Sequence, residues 1–222
     1  MQKSDYNFSD YNFILVVATG RSGSTTLQRI LNTIPETNIC GENDNAILHL
    51  LEFYKSIKHY NIINAKYDRI IELGVAPSWY NHFSQTEMIT SIRNLIIRFL
   101  NYDNNATTLG FKEIRYDKSN LHLLNEFKEL FPKTKIIIHI RNPEIQCKSS
   151  WWGDNPESKK KLYELNNIFT EFKKNTSNTY VSLFDNLFNL DELHRMFVFL
   201  GKEQHFDKTK ILQVLKNNLD NK

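Results

Sequence analysis

Residues 13–27 read FILVVATGRSGSTTL. Phe13 to Ala18 is an unbroken apolar run with β-branched Ile14, Val16 and Val17, the pattern of a buried strand. Thr19 to Thr26 then turns into a helix that carries Leu27, Ile30, Leu31 and Ile34. A strand, a glycine-bearing turn and a helix N-terminus form an anion cradle. The first amides of the helix have no helical acceptor, and the positive end of its dipole faces whatever sits there. Gly20 and Gly23 let the backbone come close, and the hydroxyls of Ser22, Ser24, Thr25 and Thr26 add donors.

The kind of anion can be narrowed. The P-loop of nucleotide triphosphatases reads G-x-x-x-x-G-K-S/T. Setting Gly23-Ser24-Thr25 on its G-K-T puts Ala18 on the first glycine and Ser24 on the lysine. The lysine that reaches the β- and γ-phosphates is missing, and Arg21 is its nearest substitute. Such a loop suits a phosphate group and suits a triphosphate poorly.

Composition sets outer bounds. The 222 residues fit one domain, 1–222, with residues 1–12 read as a flexible N-terminus. Apolar residues make up 41% and charged residues 24%, and the net charge of +3 is too small to argue for nucleic acid. No apolar run is long enough for a membrane span. The polar start MQKSDYNFSDYN lacks a signal-peptide core, and Cys40 and Cys147 have no paired metal spacing, so a cytoplasmic protein is expected.

Strand and helix patterns alternate, which predicts a P-loop NTPase-like three-layer α/β fold with a central parallel sheet flanked by helices. Strands are expected at 13–18, 37–40, 107–114, 135–140 and 179–184. Helices are expected at 44–59, capped by Asp44, at 88–100, at 119–131, capped by Ser119, and from Pro143 through Ser149. Further helices are expected at 156–174, 190–200 and 208–219. Residues 60–85, with Tyr67, Trp79, Tyr80 and Phe83, read as irregular. In open parallel sheets ligands bind outside the carboxyl ends of the strands. Those ends carry the loop 19–26, Gly41-Glu42-Asn43, Lys112-Glu113-Ile114-Arg115 and Arg141-Asn142-Pro143, which implies one polar site built from four loops.

On these residues the chain resembles the sulfotransferases that use 3'-phosphoadenosine 5'-phosphosulfate (PAPS). Arg21-Ser22-Gly23-Ser24-Thr25-Thr26 is similar to their 5'-phosphosulfate loop. IRNPEIQCKSSWW, with Arg141 and Ser149 eight positions apart, is similar to their 3'-phosphate motif. Arginine offers a permanent forked donor suited to phosphate, and Ser149, two turns along the expected helix, would add a hydroxyl. The run around Cys40-Gly41-Glu42 looks like the tyrosylprotein sulfotransferases, in which that glutamate is the general base. Gly110-Phe111-Lys112-Glu113 resembles the family's lysine-bearing strand end. The resemblance implies sulfuryl transfer from PAPS, without a metal, to a hydroxyl of a glycan, small metabolite or tyrosine side chain. It implies Glu42 as base, Lys112 and Arg21 as charge stabilisers, and Arg141 with Ser149 on the 3'-phosphate. Arg115 is placed to assist Lys112 or to bind the acceptor, and residues 46–106 are expected to set acceptor choice.

Two features depart from the family. Phe184-Asp185-Asn186-Leu187 stands where its Tyr-Glu-x-Leu is expected, and the glycine-rich C-terminal nucleotide loop is absent. Other residues read more plainly. His139, inside an apolar strand, is expected to be a packed core residue, and His49 is the second choice as base. At least one of Trp151 and Trp152 is expected in the core. Two alternatives remain at this level: a small kinase, which needs a loop lysine and a magnesium carboxylate, and a silent nucleotide-binding protein.

Overall fold

The computed structural model describes residues 6–64, 83–101 and 105–219. Five strands form one parallel sheet: β1 (Asn12–Ala18), β2 (Thr37–Cys40), β3 (Thr108–Glu113), β4 (Thr134–Ile140) and β5 (Thr179–Leu183), in the order β2-β3-β1-β4-β5. The eight α-helices of the described residues are α1 (Ser24–Leu31), α2 (Ala46–Asn64), α3 (Gln85–Leu100), α4 (Leu123–Leu130), α5 (Pro143–Gln146), α6 (Pro156–Asn175), α7 (Leu190–Leu200) and α8 (Lys208–Leu219). None of the described helices is long and apolar enough to cross a membrane.

The apolar run of β1 is explained by its central place, since both of its faces are covered. Phe13, Leu15 and Val17 pack into a core with α2, α3, α4 and Phe169 of α6. Ile14 and Val16 pack on the opposite side with α1, α7 and α8. The result is the expected three-layer P-loop-type fold. Gly110 lets β3 approach β1 closely, because a Cβ there would lie 1.8 Å from the Ile14 carbonyl oxygen. Chain order reverses around β1, so the crevice where this fold places ligands opens at the carboxyl end of β1, between β3 and β4.

Most element boundaries match the expected ones; five do not, among them the start of α3, which Ser84 caps at Gln85 and not at Met88. α2 starts at Ala46 and is capped by Asn43, whose Oδ1 accepts from the Ile47 amide at 3.2 Å. Asp44 and Asn45 instead sit at positive φ, 52° and 63°. α2 also runs on through Asn64, across residues read as irregular. α4 starts at Leu123, because Asp117 takes the Ser119 amide and hydroxyl into a turn first. α5 is a single turn, capped by Asn142 with Pro143 at its first position. Ser149 therefore lies in the turn beyond α5 and not two turns along a helix. Tyr67, Trp79 and Tyr80 lie outside the described residues. Of the stretch read as a flexible N-terminus, Tyr6 to Asn12 make specific contacts: the Arg93 guanidinium lies 3.8 Å over the Phe8 ring, and the Tyr6 amide donates to Asn94.

Candidate active site

A cleft of about 360 Å³ opens at the carboxyl end of the sheet. Arg21, Gly23, Ser24, Thr25, Thr26, Glu42, Lys112, Arg141 and Ser149 all line it, so the four loops converge as expected. Ser22 is fully buried and does not line it.

The turn after β1 is shaped by backbone conformation. Arg21 has φ 64° and Gly23 has φ 92°. Gly23 is the N-cap of α1 and has no side chain to close the helix end. Its carbonyl accepts from the Thr26 and Leu27 amides, and Ser24, Thr25 and Thr26 at the start of α1 line the cleft. The Phe184 ring packs against Gly23 so closely that a Cβ on Gly23 would lie 2.5 Å from Phe184 Cδ2. The aromatic ring that replaces the expected tyrosine thus braces the anion loop.

Arg141 leaves β4 beside this loop. Its NH1 donates to the Arg21 carbonyl at 3.0 Å, and its guanidinium lies 4.2 Å over the Phe184 ring. Burial lowers its pKa, the Asp185 carboxylate partly offsets that, and the nearby Arg21 charge lowers it further. Two buried polar atoms here, Arg141 Nε and Ser149 Oγ, have no hydrogen-bond partner among the described residues, and the same holds for Ser22 Oγ in the loop. Buried polar groups are ordinarily satisfied, so Arg141 Nε and Ser149 Oγ, on residues that line the cleft, fit a polar ligand.

Across the cleft, Glu42 stands between two cations. Its Oε1 is 2.5 Å from Lys112 Nζ, and its Oε2 is 3.4 Å from Arg115 NH1. The Lys112 side chain is 6% exposed and that of Glu42 31%. Arg115 also reaches Asp44 and Glu113. Glu113 is fully buried and accepts from the Ile114 and Arg115 amides, the Arg115 side chain and the Asn43 amide. It fixes the end of β3 to the loop that carries Glu42.

His139 is buried in the core as expected, with its Nδ1 3.2 Å from Ser182 Oγ and its Nε2 3.1 Å from the Ser22 carbonyl oxygen. Burial, aided by the Arg141 charge and opposed by hydrogen bonding to the Ser22 and Ser182 backbone, lowers its pKa to about 4. His49 does not line the cleft; it is exposed and pairs with Glu52. Neither tryptophan is a core residue. Trp151 is 62% exposed and lines the cleft, while Trp152 is half-buried and donates from Nε1 to the Gly20 carbonyl. Sequence reasoning had no signal for Gln146, which is fully buried and donates to Thr19 Oγ1 and to the Gly20 carbonyl, both at 2.7 Å. Nor did it find Phe188 and Leu215, which add apolar surface to the cleft.

Fold and site together define a P-loop-type α/β protein with a cleft lined by four loops at the carboxyl end of its sheet. The sequence profile of the Sulfotransferase family matches residues 14–195, and the chain belongs to that family. Among solved structures it is similar to the sulfotransferase domain of the Synechococcus PCC 7002 olefin synthase, with TM-score 0.57 and 17% identity over 96% of this chain and 81% of that one. It is also similar to the sulfotransferase domain from the curacin biosynthetic pathway, with TM-score 0.54 and 14% identity over 92% of this chain and 77% of that one. These two likenesses speak for the fold. No curated protein matches the chain.

Proposed function

We propose that this protein transfers a sulfuryl group from PAPS to an acceptor hydroxyl. The observation that carries the reading is the pair of anion-binding elements in one cleft, with Arg141 Nε and Ser149 Oγ buried and unpartnered at one and the open N-terminus of α1 at the other. PAPS, when bound, supplies an activated sulfuryl group. The amides of Gly23, Ser24 and Thr25 and the hydroxyls of Ser24, Thr25 and Thr26, with Arg21, hold its 5' end; Ser22, expected to join them, is buried behind the loop. Arg141 and Ser149 hold its 3'-phosphate. A free P-loop lysine is missing, which disfavours a nucleoside triphosphate.

Group transfer of this kind demands alignment and charge stabilisation more than covalent help. Glu42 is a carboxylate that lines the cleft, and in this reading it takes the proton of the acceptor hydroxyl. Lys112, buried beside it, offers a fixed positive charge to the negative charge that develops between donor and acceptor. Arg21 adds a second from the loop. The acceptor is a hydroxyl of a small metabolite, a glycan or a tyrosine side chain.

The test is direct. PAPS and adenosine 3',5'-bisphosphate should raise the melting temperature by mass action, and ATP at the same concentration much less. Labelled PAPS presented with a panel of hydroxyl acceptors should then identify a labelled product. Equal thermal shifts with ATP and PAPS would remove the basis for the reading.

A further inference from the structure

Three successive carbonyls of the anion loop, those of Gly20, Arg21 and Ser22, each accept a hydrogen bond from a side chain of the segment 139–152. Gln146 Nε2 and Trp152 Nε1 reach the Gly20 oxygen at 2.7 and 2.8 Å. Arg141 NH1 reaches that of Arg21 at 3.0 Å, and His139 Nε2 that of Ser22 at 3.1 Å. His139 and Gln146 are fully buried and do not line the cleft, so they grip the loop from behind.

A trans peptide unit points its carbonyl and its amide in opposite directions. A carbonyl held toward the rear therefore turns the next amide forward. We propose that His139 and Gln146 are positioning residues of the anion loop, which hold the Ser22 and Gly20 carbonyls back and so aim the Gly23 and Arg21 amides into the cleft. The inference rests on the reading of this loop as the binding site for the 5' end of the nucleotide.

Two details support a positional role over a packing one. Gln146 keeps a buried Oε1 without a partner among the described residues, a cost that an apolar side chain of the same size would avoid. His139 is held on both nitrogens, between Ser182 of β5 and the loop, so its ring orientation is fixed. Because Nε2 faces a carbonyl, it carries the proton, and Nδ1 is left to accept from the Ser182 hydroxyl.

The experiment compares adenosine 3',5'-bisphosphate with adenosine 3'-monophosphate, which lacks the 5'-phosphate, by calorimetric titration. In His139→Leu and Gln146→Met the bisphosphate should weaken by about tenfold or more, the scale of a misdirected hydrogen bond to a charged group. The monophosphate should change by less than about threefold on the same scale. His139→Gln, which can keep a donor near the Nε2 position, should recover most of the loss. Gln146→Met, which keeps volume and drops both donors, decides the matter if His139→Leu does not fold. Unchanged bisphosphate binding, or equal losses for both ligands, would overturn the positioning role while leaving the nucleotide reading intact. A wild-type protein that binds neither ligand would overturn both.

Discussion

Replacing Glu42 by glutamine keeps the shape of the side chain and a carbonyl acceptor but removes the charge. Lys112 then loses its carboxylate partner while its side chain stays buried. Removing one member of a fully buried ion pair costs about 3–5 kcal/mol. Glu42 is about a third exposed, so water screens the change, and the amide oxygen still accepts from Lys112. A loss of about 1–2 kcal/mol is the expected result. For a chain of this length that lowers the melting temperature by roughly 2–8 °C. Turnover with the true acceptor should fall far more, by roughly 10²–10⁴, the usual worth of a positioned base. Nucleotide affinity should hold or rise, because a negative charge has left a cleft that binds anions. Three measurements on one protein separate the possibilities: thermal melting, titration with adenosine 3',5'-bisphosphate, and initial rates with labelled PAPS. If affinity falls together with rate, Glu42 serves to hold Lys112 and Arg115 in place and does not take the proton. Near-normal turnover would refute the base assignment outright.

Other expectations follow from the same geometry. Arg141→Ala should weaken adenosine 3',5'-bisphosphate by about 1.5–3 kcal/mol and adenosine 5'-phosphosulfate, which lacks the 3'-phosphate, far less; parallel titrations read the difference. Gly23→Ala sets a side chain at φ 92° and 2.5 Å from Phe184, so nucleotide binding should be lost with a stability cost of about 1–3 kcal/mol, while Gly23→Ala with Phe184→Ala should regain part of the stability because the clash goes and the strain stays. The lowered pKa of His139 sets an acid dependence. Unfolded His139 takes up a proton near its ordinary pKa of 6.5, and the folded form resists it until about pH 4. The unfolded state binds more protons in that window, so stability drops as pH falls from 6.5 toward 4, by on the order of 3 kcal/mol in all. Urea midpoints at pH 7 and 4.5 should show this share of acid sensitivity in the wild type and not in His139→Gln.

The sheet and the loops at its carboxyl end were legible because the information is local. KIIIHI and FILVVA are buried strands by composition, and polar residues begin where they stop. Arg21, Glu42, Lys112 and Arg141 were found for the same reason, since each sits within three positions of a strand's carboxyl end. What was misread depends on distant partners. Asn43 and Asp44 are both good caps, and the choice falls to Asn43 because Arg115 pairs with Asp44 while Glu113 takes the Asn43 amide. The segment after Pro143 has enough helical pattern for two turns. The structure stops it after one and folds back, with the Asp154 amide on the Cys147 carbonyl and Trp152 on Gly20. Gln146 gave no local signal, because its partners Thr19 and Gly20 lie on another loop.

The place of β1 at the centre of the sheet has an evolutionary consequence. Glu42 and Lys112 hang from the β2–β3 flank, whereas Arg141, Phe184 and the side chains that grip the anion loop hang from the β4–β5 flank. Drift in residues 41–64 can therefore alter what approaches Glu42 without disturbing the carbonyls of Gly20 and Ser22. The same boundary marks where a designer would cut to graft a new β2–β3 flank onto this scaffold. Any such graft must keep one joint, the Asn43 amide on the buried carboxylate of Glu113, because it sets the reach of Glu42 against the rest of the sheet.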